Sequence, residues 1–187
     1  QQRRPDAAAD HRVLHRLSVR SPEGVDAYAR LMAAAASEPA LVSHEDHTPG
    51  QGQYADRAQL AKLLIGQGFT QRDADLRVAE LEAEGQRNVG VRTRALRLLA
   101  EHAASGRIRL LGHDLDSPAA VDEMAAHGTI AAEFPLGLAA AAHARARGLL
   151  VVCGAPNAIR GSSHNGNAST RDLVARGLVD ALTSDYV

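Results

Sequence analysis

The chain has 187 residues, a net charge of −1, one cysteine, no tryptophan, two phenylalanines and three tyrosines. That length supports one domain with a real core; the near-neutral charge gives no electrostatic case for nucleic acid or an acidic membrane surface, and no apolar run approaches the twenty or so residues of a membrane span. The lone Cys153 has no internal partner for a disulfide, which suits a reducing, cytoplasmic setting.

The chain opens "QQRRPDAAAD", with no initiator Met and no apolar stretch behind the arginines, so it does not read as a signal peptide. It stops at "LTSDYV", directly after an apolar run. Both ends look cut, and the expectation is a piece of a longer protein.

Six short apolar runs follow in order: "HRVLHRLSV" (11–19), "ALVSHEDH" (40–47), "RIRLLGHD" (107–114), "TIAAEFP" (129–135), "LLVVCGAP" (149–156) and "VDALTSDYV" (179–187). Helix signals separate most of them. Ser21-Pro22 and Ser117-Pro118 each pair an N-cap with proline at the first helical position. Gly128, Gly148 and Gly177 fall where helices are expected to end. Strands alternating with helices at this spacing predict a parallel sheet with crossover helices.

Residues 55–105 break the rhythm with helical spacing and no strand signal. Leu76 and Leu81, then Leu96 and Leu99, are expected to form apolar stripes, and Thr70 with Asp73 makes a capping-box start. This stretch is read as a helical insertion after the second strand. A complete (β/α)8 barrel needs about 250 residues. Six βα units plus an insertion fit this chain and eight do not; an open doubly wound sheet is the alternative.

Polar residues collect at the ends of the runs: "EDH", "GHD", "EFP", "GAPN", "SDY". Parallel α/β folds place their active sites at those ends. His47, His113 and Asp185 each lie at one, and two imidazoles with a carboxylate suit a catalytic divalent metal. Singly, each reads equally as a hydrogen-bonded histidine or a helix-capping aspartate. His44, three residues before His47, is expected on the opposite strand face, and Glu45 and Asp46 are candidate supports for a ligand histidine.

The loop "GAPNAIRGSSHNGNAS" (154–169) is rich in small donors. Arg160 offers a planar fork for phosphate oxygens, Ser162, Ser163, Asn165 and Asn167 add neutral donors, and Gly161 and Gly166 let the backbone approach an anion. It is not a Walker loop, since no GK[ST] is present.

Taken in order and spacing, "DHTPGQGQY", "GHD", "AEFP", "GAPNAIRGSSHNGNAS" and "SDYV" resemble amidohydrolase-superfamily diphosphatases of the carbon–phosphorus lyase (phosphonate) pathway. The resemblance implies a (β/α)8 TIM-type barrel, here strands 3–8 with the helical insertion, making residues 1–187 a partial amidohydrolase barrel domain. It implies a metal-dependent hydrolase that releases pyrophosphate from a ribose 5-triphosphate bearing methylphosphonate, with a divalent ion of the Zn, Mn or Mg class. His47, His113 and Asp185 match expected metal ligands, and Asp185 is the expected catalytic carboxylate. Arg160, Ser163, His164 and Asn167 lie in the signature loop, and a role on substrate phosphate is inferred for them. Departures run alongside. Family members carry an HxD metal motif on a strand ahead of the position matching Gln1, and that strand is absent from this sequence. Its strand resembling "HLRCE" here carries Ser18 or Val19 at the acid's place and Leu17 near the arginine's. Leu115 replaces an acid in "HDLD", and "EFPTT" is "EFPLG". A small phosphorylated substrate is the expected partner, with no nucleic acid and no membrane. Unpaired sheet edges favour low stability or association into a homo-oligomer. A non-catalytic relative keeping the phosphate loop, and another metal-dependent amidohydrolase, are the alternatives.

Overall fold

A computed structural model describes residues 12–34, 39–161 and 168–184. Each apolar run contributes a strand: β1 (Leu14–Ser18), β2 (Ala40–Glu45), β3 (Ile108–His113), β4 (Thr129–Glu133), β5 (Leu150–Gly154) and β6 (Ala181–Thr183). All neighbours pair in parallel, in the order β1-β2-β3-β4-β5-β6. Sequential order without reversal is that of consecutive βα units of a (β/α)8 barrel; a doubly wound sheet reverses direction at its switch point.

The helices are α1 (Pro22–Ala33), α2 (Arg57–Gly66), α3 (Gln71–Arg87), α4 (Val89–Ala104), α5 (Pro118–Ala126), α6 (Leu138–Ala146), α7 (Ala155–Arg160) and α8 (Thr170–Ala175). Their starts follow local chemistry. Ser21, Thr70 and Ser117 accept from the backbone N–H groups of Gly24, Asp73 and Ala120, which have no intrahelical partner. Gly128, Gly148 and Gly177 take positive φ after helix ends.

The sheet has two unlike faces. Leu17, Val42, Leu110, Ala132 and Val151 point to one, where Val25, Leu99, Met124, Ala141 and Leu173 from α1, α4, α5, α6 and α8 pack on them. Helices stacked on a single face again match a barrel wall. The opposite face carries Arg16, Ser43, Glu45, His113 and Glu133, joined by side-chain contacts.

Residues 55–105 divide in two. In α4, Ala95, Leu96 and Leu99 join the main core, so α4 serves as the crossover to β3. In α2 and α3, Leu60, Ala61, Ala74 and Val78 form a separate small core with Leu81 against it. The expected stripe through Leu76 is not formed: that side chain is 55% exposed. Helical phase explains this, since Ala74, Val78 and Leu81 lie at i, i+4 and i+7, and Leu76 falls off that face.

The 154–169 segment also differs from a plain loop. "APNAIR" forms α7, with proline at its start, and Gly161 (φ +77°) ends it. Residues 162–167 lie outside the described residues.

Truncating Leu99, fully buried between α4 and the sheet, leaves a cavity. Urea unfolding of Leu99→Ala is expected to show a loss of about 2–5 kcal/mol. Leu76→Ala should lie within about 0.5 kcal/mol of the parent chain.

Candidate metal centre

His47 follows β2 by two residues, His113 ends β3, and Asp114 follows it. One Asp114 carboxylate oxygen lies 3.4 Å from His113 Nε2 and 3.6 Å from His47 Nε2. One ligand atom from each of the three residues falls within 4.8 Å of the other two. Two atoms bonded at about 2.1 Å to one tetrahedral ion stand about 3.4 Å apart. The spacing and the donor set both fit a divalent cation held through two imidazole nitrogens and a carboxylate.

Asp114 reaches this position through its backbone. Its φ is +53°, and Phe134 at the end of the next strand has +55°; among the described residues these are the two non-glycines in that region. The left-handed conformation costs roughly 1–2 kcal/mol for an L-residue, least for aspartate and asparagine. Such residues gather at functional sites, where surrounding structure holds them. Here the Asp114 N–H donates to Glu133 O at 2.9 Å and the Phe134 N–H to Val152 O at 2.8 Å. The Phe134 ring then meets His113 edge-on, centroids 5.4 Å apart.

His113 is buried, and its Nδ1 lies 2.9 Å from a Glu133 carboxylate oxygen. An ionised carboxylate only accepts, so the proton sits on Nδ1 and the Nε2 lone pair is left for another partner. Ser43 donates to the same Glu133 oxygen at 2.6 Å. Burial alone would raise the Glu133 pKa, but the hydrogen bonds from His113 and Ser43 outweigh it and hold the carboxyl below its usual value. His47 is more open, with 37% of its side chain exposed. Its pKa is raised, chiefly by the neighbouring Asp114 carboxylate, against the opposing effect of burial.

Arg16 also belongs to the site. Its Nε pairs with Glu45 at 2.9 Å, and its Nη2 lies 3.2 and 3.5 Å from the two ring nitrogens of His113. By spacing, Leu17 falls near the place of the family's arginine. Leu17 instead packs on the helix side, because one residue along a strand reverses the face. Leu115 turns into the main core, against Gly112.

Behind the cluster, His44, Asp46, Gln51, Arg92 and Glu123 line a cavity of about 110 Å³ that also touches His113 and Asp114. His44 is 5% exposed, and among the described residues neither ring nitrogen has a hydrogen-bond partner. Burial pushes its pKa down from 6.5 to about 4. Asp46 accepts from Arg20 (2.9 and 3.0 Å), Arg92 (3.1 Å) and the Thr48 hydroxyl (2.8 Å). These bonds outweigh its burial and keep its pKa low.

Of the residues singled out from sequence, His47 and His113 are brought together. Arg160 sits exposed at the end of α7, the helix that directly follows the C-terminal end of β5. Asp185, Ser163, His164 and Asn167 lie outside the described residues. Asp114 was visible in "GHD", but its reach depends on a positive φ that spacing does not reveal.

Fold and site together define a parallel α/β chain, ordered as in a (β/α)8 barrel, with the donor set of a metal centre at its strand ends. The resemblance read from the motifs holds across aligned sequence. The chain is 36% identical over 148 residues to alpha-D-ribose 1-methylphosphonate 5-triphosphate diphosphatase of Escherichia coli (strain K12). That alignment covers 78% of this chain and 38% of the relative's length. No family model matches the chain, and no solved structure matches it. Among the described residues, no helix is long and apolar enough to cross a membrane.

A histidine whose folded pKa is depressed contributes stability above its unfolded pKa of 6.5 and loses it as pH falls towards about 4. Between pH 7 and pH 5, His44 should therefore cost the metal-free chain about 2 kcal/mol. Urea unfolding of His44→Leu is expected to show a pH slope flatter by that amount; parallel slopes would place His44 in contact with a proton acceptor.

Proposed function

We propose that this chain carries the catalytic face of a metal-dependent phosphoanhydride hydrolase of the amidohydrolase type. Its substrate would be α-D-ribose 1-methylphosphonate 5-triphosphate, and its product pyrophosphate. The observation that carries the reading is the convergence of His47, His113 and Asp114 at the strand ends of a chain aligned with a diphosphatase of that name.

His47 and His113 would hold the ion through Nε2, and Asp114 through its carboxylate. Lewis acidity and a nucleophile at neutral pH are the chemistry a bound divalent ion supplies. Glu133 keeps the His113 proton on Nδ1 and so keeps Nε2 a ligand. The Arg16 guanidinium, on the same sheet face as His113, would meet negative charge growing on phosphate. Arg160 is proposed to bind substrate phosphate with Ser163, His164 and Asn167. Asp185 is proposed as a further metal ligand and the group that accepts the nucleophile's proton.

One observation favours a second reading, a relative that binds phosphate without turnover. Arg16 Nη2 stands 3.5 Å from His113 Nε2, the atom that a metal needs.

Equilibrium dialysis against zinc, manganese or magnesium, with metal analysis and a pyrophosphate-release assay, tests the proposal. The chain is expected to retain metal and release pyrophosphate. His113→Ala should abolish both, and Glu133→Gln should weaken metal binding about 10–100-fold. Phosphate-ligand binding without retained metal would support the second reading instead.

A further inference from the structure

Gly85 lies in the last turn of α3, a position where glycine is unfavourable in a helix and where no positive φ calls for it. The structure supplies a different reason. Gly85 is buried, and a Cβ on it would overlap the Thr48 methyl group. Thr48 cannot easily swing away, because its side chain is β-branched and its hydroxyl donates to Asp46 at 2.8 Å. Thr48 adjoins His47. The bare Cα of Gly85 therefore lets α3 rest directly on the segment that carries His47.

A second contact ties the same two pieces together. Arg20 gives its Nε to the Asp46 carboxylate and its Nη1 to the Gly85 carbonyl, at 2.7 Å. That carbonyl is one of the last four of α3, which lack an intrahelical donor. Arg92 of α4 completes the arrangement, reaching Asp46 at 3.1 Å and Glu123 at 2.8 Å. Asp46, one residue before His47, thus joins the turn after β1, α4 and, through Arg20, the end of α3.

We propose that the end of α3 is a clamp on the His47 loop, with Gly85 and Asp46 as positioning residues that set where the His47 imidazole stands. The α2–α3 hairpin, which has its own small core, then has a role at the site beyond filling a crossover. The inference rests on the metal reading for its consequence, but the clamp itself exists without metal.

The test uses the full chain and three variants: Gly85→Ala, Thr48→Ser, and the two combined. Thr48→Ser removes the overlapping methyl and keeps the hydroxyl bonded to Asp46. Hydrogen exchange of the Gly50 and Gly52 amides, bonded to Tyr54 O and the Asp116 carboxylate, reads the loop in the metal-free chain. Cobalt affinity, followed by its visible absorption, reads the consequence. Gly85→Ala is expected to speed exchange and weaken cobalt binding by about tenfold or more, Thr48→Ser to leave both near the parent values, and the double variant to restore them. Should Gly85→Ala fail to fold, Thr48→Ala, which creates no overlap, is expected to speed the same exchange. Unchanged exchange in Gly85→Ala, or no rescue by Thr48→Ser, overturns the clamp. Rescued exchange in a chain that never binds cobalt keeps the clamp and removes the metal reading.

Discussion

Everything at the site depends on the two-residue alternation of a parallel sheet whose strands pair in chain order. The register sets Arg16 beside Ser43, and His113 beside Glu133, so these side chains stand on one face. The residues between them, Leu17, Val42, Gly112 and Ala132, turn to the helices. A slip of one residue would exchange the two sets, placing carboxylates in the apolar core. The apolar packing that holds the sheet to its helices therefore also fixes which polar groups can meet.

Within that frame the electrostatics are arranged in layers. Glu133 is buried and would be costly as an anion alone, yet two hydrogen bonds and a nearby guanidinium keep it ionised. Its charge in turn orients His113. Asp114 then faces both imidazoles from a backbone conformation that aspartate tolerates better than most residues. Asp46 does on the β2 side what Glu133 does on the β3 side: it is not aimed at the cluster but holds the segment beside it. Beside Asp46 lies a cavity lined by a neutral His44 that has no hydrogen-bond partner among the described residues.

Much of the frame was legible in the sequence because local chemistry decides it. Branched apolar runs marked every strand, and Ser-Pro pairs and glycines marked helix ends. His47 and His113 were legible because both close such runs with a polar residue. Three features were not, each for a non-local reason. Asp114 depends on a backbone angle, and Arg16 on the pairing of β1 with β2, which decides its face. Gly85 depends on the approach of α3 to Thr48 across 37 positions of sequence. Leu76 is the more apolar side chain, yet the helix turns it outward and buries Ala74 and Val78 instead. The glycines and asparagines of the 154–169 segment are loop formers, yet Pro156 near the start of α7 is a helix signal and the segment's first residues form that helix.

Two imidazoles and a carboxylate from adjacent strand ends are proposed to share one cation. A crystal of the chain soaked in zinc, with diffraction recorded on both sides of the zinc absorption edge, tests it most directly. An anomalous peak is expected within bonding distance of His47 Nε2, His113 Nε2 and the Asp114 carboxylate, with Arg16 moved off the His113 ring. A peak elsewhere, or none while Arg16 keeps its place against His113, would contradict it.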